Sequence, residues 1–424
     1  MKVAFITYYF SPELTPRAFK WEDIINYLTQ NHDISFDIIV PQKPGIQRLY
    51  KHTTRITIHE TKNGLFLNQM RMKVGNISAT RKGNTFHLLK KFPKLLMEGL
   101  YFPDISIEWA PFAIRKFAEL RKEKKFDLII SNALPFTCHI IGYYLSKIEG
   151  VPLILEYGDP FSFNPFLGFN RFHKYLAKVI ELRIINRARY VVVPTYESAT
   201  GFINYHSMDE EKVHVIPTSY PQISKVNETS HIASHDDCFN IVYSGSFYAK
   251  GRNPKTFFES LVTLKQKCPL VFRRLKVHFY GNFSSVSNLI LFYQKKIGKD
   301  TLVVNNPVNR KQMIQILTEA DLLLNFGNES IYQMPSKLVD YQYVNKPILT
   351  IKPQGIPYRR YLKNEIVCDN VQEEIIYLIE IIIERGIDKI GLYNSEKAQF
   401  VCEDFLLENV ATKYLQLMSK CTIH

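Results

Sequence analysis

Residues 335–351 read "PSKLVDYQYVNKPILTI". A proline and a serine precede an apolar-periodic run, and "KPILTI" closes the stretch as a short buried strand. Ser336 is the expected N-cap of the helix. A helix followed at once by an apolar strand is half of a parallel α/β unit. One residue is out of place: Lys337 lies in the first turn, where the helix dipole disfavours a cation. Two readings are open. Lys337 and Asp340 share a helix face, so they can form a surface ion pair worth about 0.3 kcal/mol. Alternatively, Ser336, Lys337 and Leu338 open an anion site at the helix N-terminus, with Asp340 one turn deeper for sugar hydroxyls.

Outward from this stretch the alternation recurs. Strands are expected at "KVAFIT" (2–7), "FDIIV" (36–40), "FDLIIS" (126–131), "VPLILEY" (151–157), "YVVVPT" (190–195) and "KVHVIP" (212–217). Helices are expected at about 17–30, 110–124, 136–147 and 171–188. A polar stretch follows with little apolar periodicity, and the pattern then restarts with "FNIVYS", "LKVHFYG" (275–281), "LVVNN" (302–306) and "ADLLLNF" (320–326). The expected organisation is an N-terminal Rossmann-like domain over 1–218, a linker over 219–238 and a second Rossmann-like domain over 239–393. A C-terminal helical segment, 394–424, packs back on the first domain. The fold class is α/β with mostly parallel sheets, so ligands are expected beyond the carboxyl ends of strands.

Composition narrows the function. The 424 residues carry a net charge of +14, which points to an anionic partner. No reader motif for nucleic acid is present, and none is expected as a partner. Six cysteines without C-x-x-C spacing read as reduced thiols in a cytoplasm. The apolar run of "MKVAFITYYFSPE" is too short for a signal peptide. "HIASH" (231–235) pairs two histidines without a third ligand, so no metal is expected. From Thr61 to Met97 there are eight Lys or Arg and no acid. That segment is either a basic face for an anionic membrane or a solvated loop.

Residues 244–254, "SGSFYAKGRNP", follow a strand and precede a helix. Gly245 lets backbone approach a ligand, and Lys250 and Arg252 supply cations suited to a diphosphate. A solvated basic loop is the plainer alternative. "PSKLVDYQYVNKPIL" resembles the P-S-K-L-x-E-Y-x-x-x-x-K-P-I segment of family 4-like glycosyltransferases with the GT-B fold. "IVYSGSFYAKGRNP" is similar to their strand–glycine–loop. "YYFSPELTPRAFKW" (8–21), "FPDISIEWAPFAIRKF" (102–117) and the stretch 126–161 also resemble that family, in the same order.

The resemblance implies GT-B architecture: two Rossmann-like domains facing a central cleft. It also implies a retaining, metal-independent transferase without a cofactor, taking a hexose or N-acetylhexosamine from a nucleotide diphosphate sugar. The acceptor would be a glycan, lipid-linked in capsule, O-antigen or exopolysaccharide synthesis, at the inner face of the membrane. By position, Arg252 and Lys337 would hold the diphosphate, with Gly245, Ser246 and Lys250 beside them, Asp340 on the ribose and Val308 near the base. Asp159, in "LEYGDPF", would orient the acceptor with Glu13 and Arg17, or simply cap its loop. Several positions depart from the family pattern. Ser246 follows the glycine, "SPELTPR" replaces a glycine-rich loop, and Gly158 and Phe161 stand in a D-x-R-D-P-W segment. The E-x7-E pair has become Tyr332 and Asp340, with Glu329 out of register. Two other activities fit the same fold: a nucleotide-sugar epimerase, or a nucleotide-sugar-binding protein without catalysis.

Overall fold

The computed structural model describes residues 1–13, 15–46, 54–64, 101–222, 238–247, 252–328, 330, 332, 335–356, 358, 362, 364–386 and 402–422. Lys250, Glu329, "HIASH" and nearly all of the basic 61–97 segment lie outside the described residues. The chain forms two compact units, Met1–Pro217 with Leu407–His424, and Thr218–Leu406.

The first unit holds strands β1 (Lys2–Thr7), β2 (Ser35–Pro41), β3 (Ile56–Thr61), β4 (Leu128–Ala133), β5 (Leu153–Tyr157), β6 (Tyr190–Val193) and β7 (Val213–Val215). Its helices are α1 (Pro16–Asn31), α2 (Ala110–Leu120), α3 (Thr137–Glu149), α4 (Arg171–Arg187) and α5 (Tyr196–His206). The second unit holds β8 (Phe239–Ser244), β9 (Leu275–Tyr280), β10 (Leu302–Asn305), β11 (Leu322–Phe326), β12 (Ile348–Lys352) and β13 (Glu365–Asp369). Its helices are α6 (Lys255–Lys267), α7 (Pro269–Arg274), α8 (Ser287–Ile297), α9 (Arg310–Glu319), α10 (Lys337–Val344) and α11 (Gln372–Arg385). The last helix, α12 (Leu407–Thr422), belongs to the first unit and packs against α1.

Each sheet is parallel throughout. The order is β3-β2-β1-β4-β5-β6-β7 in the first unit and β10-β9-β8-β11-β12-β13 in the second. Helices cover both faces, so inner strands are apolar on both sides. In β1, Val3 and Phe5 join one core cluster with Trp21 of α1, while Ala4 and Ile6 join the other. In β8, Ile241 and Tyr243 face one cluster and Val242 the opposite one.

Local chemistry sets the helix starts. Thr15 caps α1 by accepting from Ala18 N at 3.2 Å, with Pro16 in the first position. Asn170 caps α4 by accepting from His173 N at 2.8 Å. Two of the four outer strands, β3 and β13, were not expected from the sequence. Each is paired on one side only, and "ITIHET" and "EIVCD" mix polar with apolar residues.

The strand orders define two switch points, where successive connections leave in opposite directions: β1/β4 in the first unit and β8/β11 in the second. Loops at the carboxyl ends of such strands diverge and leave room for a ligand. Candidate residues named from the sequence lie at both.

Candidate active site

In the second unit, Gly245 follows β8 directly and Gly281 follows β9. The two loops touch: Gly245 N donates to Tyr280 O at 2.9 Å. A Cβ built at Gly281 would lie 1.9 Å from the Gly245 carbonyl oxygen, and Gly281 has φ +152°. Only glycine fits there. Gly245 itself has φ +139°, and its missing side chain leaves space bounded by Tyr243 Oη and the Lys337 stem.

Helix α10 comes up to this point from beneath. Tyr341 fastens it: its Oη donates to Leu324 O at 3.1 Å on β11 and accepts from Ser244 N at 2.9 Å on β8. The helix is thus pinned to both strands of the switch point. Asn345, in the left-handed conformation at φ +52°, ends it.

Lys337 begins α10, one turn before Tyr341. Its Nζ is withdrawn from solvent and, among the described residues, has no hydrogen-bond partner. The Nζ lies 3.9 Å from the centroid of the Tyr243 ring, a cation–π contact. Burial, and then the nearby Arg252 guanidinium, hold its pKa well below the ordinary lysine value. Arg252 is itself held across the switch point, donating from Nη2 to Asn328 Oδ1 in the loop after β11.

Two expectations about this helix are corrected. Ser336 is no side-chain cap: it has helical φ/ψ, makes no capping hydrogen bond and is exposed. Lys337 and Asp340 form no ion pair with each other. Asp340 Oδ1 instead accepts from Arg310 Nη2 at 2.8 Å and Nε at 3.3 Å. Arg310 opens α9, after the β10 loop, with Asn309 as its cap. Val308, in that loop, is half-buried against the cluster formed by Met313, Leu338 and Tyr341. Gly245, Ser246 and Arg252 thus follow β8, and Lys337 and Asp340 are carried by α10. Sequence reading missed Arg310, Tyr243, Tyr341 and Asn328. It also missed Gly281, although a glycine directly after a strand was the signal that singled out Gly245.

The first unit has its own cluster at the β1/β4 switch point. Arg17, on α1, donates from Nη1 to Leu134 O at 3.0 Å, in the loop after β4. Its Nη2 meets Asp159 Oδ2 at 2.9 Å, in the loop after β5. Both side chains remain partly exposed, at 22% and 33%. Gly158 explains itself here, because a Cβ at that position would lie 2.9 Å from Arg17 Nη2. The guanidinium of α1 fills the space that a side chain at 158 would take. Phe161 stacks on Phe136 with centroids 3.8 Å apart.

Glu13 lies apart from this pair. It is buried, meets Lys43 Nζ at 2.6 Å and accepts from Phe10 N at 3.3 Å. Lys43 Nζ also lies 3.9 Å from the Tyr9 centroid and donates to Tyr8 O at 2.7 Å. Glu13 thereby ties the loop after β1 to the end of β2. Beneath, Glu156 is bound to Lys20 at 2.8 Å, both buried. His139 is fully buried with Nδ1 2.8 Å from Ser131 Oγ. Burial, with Arg17 adding to it, lowers its pKa to about 3.

Among the described residues no cluster of three His, Cys, Asp or Glu could hold a metal, and no helix is long and apolar enough to cross a membrane.

Residues 93–220 match the family model described as Glycosyltransferase Family 4. No curated protein sequence matches the chain. Among solved structures, sucrose-phosphate synthase from Thermosynechococcus elongatus is similar at TM-score 0.66 and 12% identity, over 99% of this chain and 98% of that one. HepE from Anabaena, in complex with UDP-glucose, is similar at TM-score 0.62 and 14% identity, over 99% and 100%. The lipopolysaccharide outer core galactosyltransferase WaaB gives TM-score 0.57 and 13% identity, over 99% and 100%. The two parallel α/β units have the GT-B fold, and residues 93–220 match the sequence pattern of Glycosyltransferase Family 4.

Proposed function

We propose that the protein is a retaining glycosyltransferase that moves a hexose or N-acetylhexosamine from a nucleotide diphosphate sugar to a sugar acceptor. The reading extends to a lipid-linked glycan of capsule, O-antigen or exopolysaccharide synthesis, made in the cytoplasm at the inner membrane face. One observation carries it: Lys337 Nζ, buried and without a hydrogen-bond partner among the described residues, beside Arg252 at the β8/β11 switch point. A buried amine without a partner costs stability. Its arrangement is explained if a ligand completes it, and two cations at a helix N-terminus suit a diphosphate.

In this reading, Gly245 lets the diphosphate approach the backbone of the β8 loop, with Ser246 and Lys250 alongside. Arg252 and Lys337 take the charge that develops on the leaving group as the glycosidic bond to the donor breaks. Arg310 binds Asp340 through Oδ1, so Oδ2 remains to accept from the ribose hydroxyls. Arg17 and Asp159 orient the acceptor, and Glu13 shapes their loop. The acceptor hydroxyl attacks the face that the diphosphate leaves, and a phosphate oxygen takes its proton. The UDP-glucose bound to HepE and the galactosyltransferase named for WaaB support the donor class.

The test is a panel of nucleoside diphosphates and nucleotide sugars, read by thermal shift and by slow donor hydrolysis. Stabilisation by one nucleotide series, with hydrolysis of its sugar, is expected. No response to any member overturns the reading. Stabilisation without hydrolysis or transfer favours a binding protein that has lost catalysis, a reading that the altered E-x7-E segment keeps open. Interconversion of the donor without an acceptor would mark an epimerase.

A further inference from the structure

Helix α4 carries apolar side chains on two opposite faces. His173, Ala177, Glu181, Ile184 and Ile185 are buried, as expected of a helix laid on a sheet. The far face of such a helix is ordinarily polar. Here Phe172, Tyr175 and Val179, spaced three and four apart, form a single stripe along it. They are 69%, 69% and 46% exposed. The loop that leads into α4, "FNPFLGFN" over 163–170, has no charge and adds Phe166 and Leu167, 41% and 37% exposed. Scattered exposed apolar residues need no explanation, but a contiguous stripe continued by an apolar loop does.

The exposed charges of α4 beside the stripe are of one sign. Arg171, Lys174 and Lys178 flank it on one side, and Arg183 lies one turn beyond Val179. Lys178 Nζ rests over the Tyr205 ring at 4.5 Å, and Arg183 Nε donates to Tyr143 Oη at 3.2 Å. Arg171 and Lys174 are exposed. The only acid of the helix, Glu181, points the other way, to His206 Nε2 at 3.0 Å and to Ser162. An apolar stripe with aromatic members, edged by cations and free of exposed acids, fits the boundary between acyl chains and anionic headgroups.

We propose that the 163–170 loop and the outer stripe of α4 dock this protein on an anionic lipid bilayer. Phe166, Leu167, Phe172 and Tyr175 enter the headgroup region, and Arg171 and Lys174 meet lipid phosphates. The charge distinguishes this partner from a second copy of the chain, because a two-fold contact would set the same cations against each other. This surface differs from the basic 61–97 segment that the sequence first suggested. The proposal deepens the membrane-face part of the proposed function by naming a surface for it, and its test does not require transferase activity. Asp159 stands seven residues before Phe166 on the same loop.

Vesicle flotation of the full chain tests it, with vesicles of phosphatidylglycerol and phosphatidylethanolamine, and of phosphatidylcholine alone. The wild type is expected to float with the anionic vesicles only. The double variant Phe172→Ser/Tyr175→Ser should partition about tenfold less. Arg171→Glu/Lys174→Glu should fall by about the same factor and lose its salt dependence. Unfolding temperatures should be unchanged, since all four side chains are exposed. The proposal is overturned if the wild type ignores anionic vesicles. It is equally overturned if both variants bind as the wild type does, or if sedimentation without lipid shows self-association that the double variant abolishes. Vesicle binding reads out whether or not any nucleotide binds.

Discussion

Replacing Lys337 by methionine should move stability and binding in opposite directions. Methionine keeps the length and apolar stem of lysine and removes the buried amine. An unsatisfied buried polar group costs about 1–3 kcal/mol. The lost contact with the Tyr243 ring is worth about 0.5–2 kcal/mol. The ligand-free variant should therefore be more stable by about 1 kcal/mol, a rise of about 2–4 °C in Tm for a unit of this size. Binding should suffer, because a hydrogen bond from a charged donor contributes about 1.5–3 kcal/mol. Affinity for UDP should drop by about 10- to 150-fold. The pH dependence carries the same signature. The folded pKa of Lys337 lies below its unfolded value, so the unfolded chain binds more protons between the two. Wild-type stability then rises with pH across that interval, and the methionine variant lacks the rise. A bound diphosphate favours the ammonium and so raises the Lys337 pKa, and wild-type titrations in buffers of different ionisation enthalpy should show proton uptake at pH values between the free and the bound pKa. Differential scanning calorimetry and isothermal titration calorimetry measure these quantities. A variant that is less stable when free and binds UDP as the wild type does would refute the argument.

Gly281→Ala should abolish UDP binding and lower Tm, because its Cβ meets a backbone carbonyl that has no rotamer to change; retained affinity in calorimetry would count against the loop contact as part of the site. Asp340→Asn should weaken binding of UDP more than of inorganic diphosphate, by about 1 kcal/mol; equal losses would remove Asp340 from the ribose. The buried His139 stays neutral while the unfolded chain takes up its proton. It should therefore cost the first unit about 1.4 kcal/mol per pH unit below about 6.5, down to about 3. His139→Gln should flatten that acid slope in urea titrations, and an unaltered slope would assign it to other groups.

The interior of each sheet was legible because buried parallel strands are continuous apolar runs. "KVAFIT" matches β1 residue for residue, and the expected helix 171–188 is α4 to within one residue. The outer strands β3 and β13 escaped because "ITIHET" and "EIVCD" carry the polar residues that a one-sided edge tolerates, whereas the apolar runs of the other two edges, β7 and β10, were legible. At the candidate site, Lys337 was conspicuous for breaking a local rule. Its surroundings were not, since Tyr243 lies 94 residues earlier and reads as one more strand aromatic. Arg310 looked like any helix start, and only the fold brings it to Asp340 from 30 residues away. Gly158 read as a departure from the family pattern until the guanidinium of Arg17 was found in its space. Local pattern reports backbone preference and burial, whereas pairings across the switch points depend on strand order.

The return of α12 to the first unit has a consequence for synthesis. Trp21 of α1 packs on Tyr414 at 4.9 Å, and Val410, Ala411, Leu417 and Met418 share its core cluster. The ribosome makes α1 near the start and α12 near the end, with all of the second unit between them. A nascent chain that has completed residues 1–217 still lacks the cover for one face of its sheet, and must keep Trp21 and its neighbours from other chains meanwhile. The second unit has all its elements before that cover arrives. The first unit closes last, and a chain truncated before Leu407 would leave that apolar face open to the proteases and chaperones that read exposed core.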